Sequence, residues 1–205
     1  MSYITTVSPQ DAEGEVLAMY ERQQAHWGYV PNYARSFSHR PEVMARWGRL
    51  LAEIRRPLDD RTFELVTFAA AVELRHTSCA LAHGAALRPF FSNAQIRAIA
   101  ADEDLGFLDD AERAMVRFSR LVARDAAAIT ADDVQQLRDS GVDDATVFDI
   151  AATAAGRAFF TKLLDAVGSM PDASLGRIDS DLRLPLTVGR PISTDPVAVM
   201  NGVTD

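Results

Sequence analysis

Apolar residues recur every three or four positions along almost the whole chain, and no segment alternates at period two for long enough to build a sheet. The pattern predicts an all-α fold. Ser8 followed by Pro9 reads as an N-cap with proline at the first helical position, opening a helix that buries Val16, Leu17 and Tyr20 and ends near His26. "GYVPNYARSF" breaks the periodicity and leaves room for a short helical turn. Pro41 opens a second helix with Val43, Met44, Trp47, Leu50, Leu51 and Ile54 on its buried face, stopped at Pro57. A third starts near Asp59 or Asp60, with acidic residues in its first turn, and carries Phe63, Leu65, Val66, Phe68 and Ala69.

Ser92 with Gln95, Asp109 with Glu112, and Thr130 with Asp133 have the spacing of capping boxes, each followed by apolar residues in helical register. The last long helix is expected from about Asp144 to Val167, burying Val147, Ile150, Ala151, Phe159, Leu163 and Leu164, with Gly168 as its cap. Beyond Pro171 the periodicity is lost, yet Leu182, Leu184, Leu186, Val188 and Ile192 are too many apolar residues for a solvated linker. The expected organisation is one helical domain over residues 1–170 and an extended C-terminal arm over 171–205 that packs on a neighbouring subunit.

Composition narrows the functional classes. The 205 residues are 48% apolar and 24% charged, ordinary for one globular domain with its own core. The net charge is -8, with acidic residues spread along the chain, so there is no basic stripe for a nucleic acid. The longest apolar runs are too short to cross a bilayer, and the N-terminus lacks a basic region followed by an apolar one; a cytoplasmic location and no membrane partner are expected. A single cysteine cannot form an internal disulfide, which fits a reducing compartment.

That cysteine lies in "ELRHTSCALAHGAAL", residues 73–87, with two of the four histidines. On one helix, Cys79 and His83 are four residues apart and share a face. Thr77 and Ser78 are both good N-caps, and a helix starting there places Cys79 in its first turn, where free N–H groups favour the thiolate. Glu64, on the preceding helix, can fold back as the carboxylate that orients His83. Taken singly, a lone cysteine is usually a small buried hydrophobe, a lone histidine a satisfied core residue, and Glu64 a first-turn helix charge. Their combination is what points to chemistry. His76, Cys79 and His83 are also a zinc-like donor set, but His76 and His83 stand roughly 10 Å apart along an unbroken helix, so a metal needs a break after His76.

With these residues the chain resembles the alkylhydroperoxidase D-like and carboxymuconolactone decarboxylase superfamily, most closely its peroxidase-related group. The likeness spans "GYVPNYARSFSHRPEVMARWGRLL", "LDDRTFELVTFAAAVELRHTSCALAHGAAL" and the segment from Leu108 to Gly168. The family's core motif is a glutamate, a Cys-x-x-Cys pair and a histidine, which fall here on Glu64, Cys79 and His83. His76 stands where the family has its first cysteine, so the intramolecular disulfide that closes the family's redox cycle cannot form.

The resemblance implies reduction of hydroperoxides by a single thiol, with no cofactor. Cys79 is then the nucleophile, His83 its base, Glu64 the group that orients His83, and His76 a hydrogen-bond donor to the peroxide. A hydroperoxide is the substrate, an external thiol or redox protein the reductant, and a homotrimer or homohexamer the assembly. The alternative is a cofactor-free decarboxylase or isomerase acting on a carboxylated lactone or related acid, with His83, Glu64 and His76 moving protons and Arg75 or Arg157 holding the carboxylate. The remaining classes are a metal-binding protein and a non-catalytic scaffold.

Overall fold

The computed structural model describes residues 2–200. Among them lie ten α-helices and no strand ladder, as the periodicity predicts. They are α1 (Gly14–Trp27), α2 (Asn32–Ser36), α3 (Pro41–Arg55), α4 (Asp60–Glu73), α5 (Thr77–Ala86), α6 (Asn93–Ala101), α7 (Asp110–Asp125), α8 (Ala131–Asp139), α9 (Asp144–Ala166) and α10 (Ser180–Leu186).

α4 is the axis of the molecule. Its residues from Phe63 to Val72 are all buried, and α5, α7 and α9 pack around it. The sequence reason is "LVTFAAAV", apolar on every face, which suits only a helix surrounded by others. Asp59 caps it by accepting the Thr62 N–H. The three capping boxes form as their spacing predicts, at the starts of α6, α7 and α8. Gly168, in the left-handed region at φ 73°, turns the chain out of α9.

Three expectations need correction. Ser8 and Pro9 do cap a helical turn, but it is a single 3-10 turn over Pro9–Asp11, and α1 begins separately at Gly14. On α3 only Trp47 is fully buried, and Leu50 is 55% exposed. On α9 Phe160 is buried and Phe159 is largely exposed. Adjacent aromatics differ by about 100° around a helix, so either could have faced inward. Phe160 wins by stacking against Phe37 and Trp47.

The tail differs most from expectation. It is not extended throughout: it contains α10, whose Leu182 and Leu186 are wholly buried against α5 and α6 in this same chain. Val188 and Ile192 pack on that core, and Leu184 stays exposed. Farther on, Val30 donates its N–H to the carbonyl of Ala198 at 2.8 Å. Residues 201–205 of the expected arm lie outside the described residues. The tail's apolar content is therefore largely used within the protomer.

Candidate active site

α4 and α5 are joined by three residues, Leu74, Arg75 and His76, of which Arg75 adopts φ 54°. His76 follows in extended conformation and caps α5, its Nδ1 accepting the Cys79 N–H at 3.3 Å. The expected caps, Thr77 and Ser78, are instead the first two helical residues. Thr77 Oγ1 is engaged elsewhere, accepting the Gly189 N–H at 2.9 Å. Gly189 is required there, because a Cβ would stand 1.9 Å from the Arg75 carbonyl oxygen. The tail thus straps down the turn that sets Cys79 in the first turn of α5.

Glu64 and His83 meet as the spacing predicts. His83 Nδ1 donates to Glu64 Oε2 at 2.6 Å, which leaves the lone pair on Nε2. Burial, with the positive Arg157 nearby, holds His83 below the ordinary imidazole value despite Glu64, so the ring is a neutral base near pH 7.

The thiol's polar partner is a residue for which the spacing argument gave no such role. Arg157 Nη1 donates to Cys79 Sγ at 3.3 Å, whereas the expected direct contact between Cys79 and His83 is not among the hydrogen bonds of the described residues. Burial alone would push the Cys79 thiol up; the Arg157 guanidinium and His76 outweigh it and hold the thiol below its ordinary value. For His76, burial opposes charge and the Cys79 sulfur favours it, with a net rise. In the neutral ring Nδ1 accepts the Cys79 N–H and the proton is on Nε2. His76 is buried and does not line the cavity in front of Cys79, so the geometry makes it a cap and not a donor to a bound peroxide. Arg75 is exposed and bonded to the Val188 carbonyl, away from the site.

A signal for Arg157 was present. Thr153, Arg157 and Thr161 form a polar stripe at i, i+4, i+8 on the buried face of α9. The two threonines satisfy their hydroxyls on their own helix, accepted by the carbonyls of Asp149 and Ala158. Arg157 has no such local option, and its Nε has no partner at all among the described residues.

Cys79, His83 and Arg157 open on a cavity of about 300 Å³ walled by Trp27, Tyr33, Trp47 and Phe160. Met170, just before the tail, and Asp172 and Leu175 within it complete the wall. Among the described residues no three His, Cys, Asp or Glu side chains converge as metal ligands would.

No family model matches the sequence, and no curated protein matches it. Solved structures do. An uncharacterized peroxidase-related protein from Ralstonia eutropha JMP134, described as an alkylhydroperoxidase AhpD core, superposes with a TM-score of 0.67 at 20% identity, over 92% of this chain and 98% of that one. The chain has the AhpD-like fold. A second peroxidase-related protein, from Silicibacter sp. TM1040, superposes at 0.68 with 21% identity, over 84% of this chain and 94% of that one. The debrominase Bmp8, solved as a cysteine-to-alanine variant with 2,3,4-tribromopyrrole, gives 0.67 at 17% identity, over 91% and 98%. In this AhpD-like chain the α4–α5 pair that carries Glu64, Cys79 and His83 is the centre of the fold, and α9 brings Arg157 to it. No helix among the described residues is long and apolar enough to cross a membrane.

Proposed function

We propose that this protein is a single-thiol peroxidase acting on organic hydroperoxides. The observation that carries the reading is the Arg157–Cys79 pair at the floor of an aromatic cavity, which favours the nucleophilic thiolate where water is scarce. His83 Nε2, which lines the same cavity, takes the Cys79 proton through a bridging water as the thiolate forms. The sulfur attacks the peroxide oxygen, the O–O bond breaks, Cys79 becomes a sulfenic acid, and His83 returns the proton to the departing alkoxide. Glu64 keeps the ring in the tautomer that does this. One external thiol then condenses with the sulfenic acid, releasing water and leaving a mixed disulfide. A second external thiol frees Cys79 as the two external sulfurs join.

Intact-mass measurement after one equivalent of cumene hydroperoxide, with dimedone present, tests this. Rapid, complete labelling is expected in the wild type and none in Cys79→Ser; an unlabelled wild-type thiol over many minutes overturns the reading.

The aromatic cavity and the likeness to Bmp8 favour a second reading, reductive removal of bromine from an aromatic ring by the same thiolate. The sulfur takes the bromine, the ring carbon takes a proton, and external thiol then releases bromide as a disulfide forms. Bromide release from a bromopyrrole in the presence of excess thiol, lost in Cys79→Ser, separates it from the first.

A further inference from the structure

The wall that the tail contributes to the thiol cavity carries Asp172, the only carboxylate lining it among the described residues. The residue is 8% exposed, and Oδ1 accepts the Asn32 N–H at 2.8 Å. Among the described residues no cation pairs with it and no donor reaches Oδ2. The neighbouring phenols are already satisfied: Tyr29 is hydrogen-bonded to Ser174, and Tyr33 accepts from Trp27 Nε1 and donates to Gln23. Burial pushes Asp172 up to about 6, against the opposing Asn32 N–H and Arg35, so near pH 7 it remains largely an acceptor. Oδ2 is therefore an acceptor left open on the cavity wall, where a donor carried by an occupant can replace water. The walls restrict what that occupant is. Trp47 stacks on Phe160 at 6.1 Å and Tyr33 meets the same ring edge-on at 5.6 Å, a lining that suits a flat ring.

We propose that Asp172 determines the specificity of this cavity, accepting a hydrogen bond from the N–H or O–H of a small planar aromatic substrate that packs against the cavity side of this aromatic cluster. The assignment rests on the reading of Cys79 as the working thiol and names the class of molecule presented to it.

The test needs no reaction at sulfur. Calorimetric titration of the full chain with indole against N-methylindole, and phenol against anisole, is expected to show the donor-bearing member binding about tenfold tighter or more. 3-Methylindole, which keeps the N–H at the size of N-methylindole, is expected to bind like indole. In Asp172→Asn the amide oxygen still serves Asn32, but a donor replaces the open acceptor, and both ratios are expected to fall to within about twofold. Ratios near one in the wild type, ratios preserved in Asp172→Asn, or 3-methylindole binding as weakly as N-methylindole would each overturn the assignment. Dimedone labelling keeps the two claims apart. A labelled Cys79 with flat ratios removes only the role of Asp172, whereas tenfold ratios beside an unlabelled Cys79 overturn the thiol chemistry and support the Asp172 contact.

Discussion

Arg157 sets the acidity of Cys79, because it is the charge that opposes a burial penalty pushing the thiol the other way. In Arg157→Met only His76 still opposes that penalty, and the thiol is expected to titrate at higher pH than in the wild type. At pH 7 the alkylation of Cys79 by iodoacetamide is expected to slow by about tenfold or more, since each unit of upward shift costs about tenfold in thiolate. Arg157→Lys, which keeps the charge, is expected to recover part of the rate. The check is the alkylation rate as a function of pH, and an unmoved midpoint in Arg157→Met would show that His76 alone suffices. Sequence spacing identified Glu64 and His83 because both partners lie on helices joined by only three residues. It assigned the wrong partner to the thiol because Arg157 stands 78 residues away on another helix.

At the scale of elements, the α4–α5 turn is held from outside by the strap from Val188 to Arg190. Gly189 binds Thr77, Arg75 binds the Val188 carbonyl, and Arg190 ties the strap to Asp165 on α9. Gly189→Ala puts a methyl into the Arg75 carbonyl, which is rigid backbone, so the strap must lift. Faster hydrogen exchange at the Gly189 amide, which loses Thr77 as its acceptor, is expected from this change, with little change at the α8 cap. α10 is anchored by Leu186, wholly buried, and Leu186→Ala is expected to cost about 2–5 kcal/mol in urea unfolding. The capping boxes of α6, α7 and α8 were legible because each is a local contract between residues three apart. The α5 cap was not, because Thr77 and His76 compete for that place and the tail decides between them.

For the whole molecule, Asp172 links the cavity to stability. Its carboxyl group holds a proton more tightly in the folded chain than in the unfolded one, with a folded value of about 6. Its contribution therefore falls as pH rises from about 4 to 6 and is flat above, at most roughly 3 kcal/mol in all. Asp172→Asn lacks this slope. The variant is expected to be more stable than the wild type at pH 7 by urea unfolding, with the gap closing toward pH 4; a gap independent of pH would refute the raised value. By itself the sequence determined the helical class, most helix starts and the Glu64–His83 pair, because these follow from periodicity and from contacts a few residues apart or across one short turn. Only the tertiary structure decided that Arg157 is the thiol's partner, that His76 is a cap, and that the segment after Pro171 folds back to close the cavity with Asp172. Those contacts join residues far apart in the chain, and the pattern of apolar positions records that such a segment must be buried without recording against what.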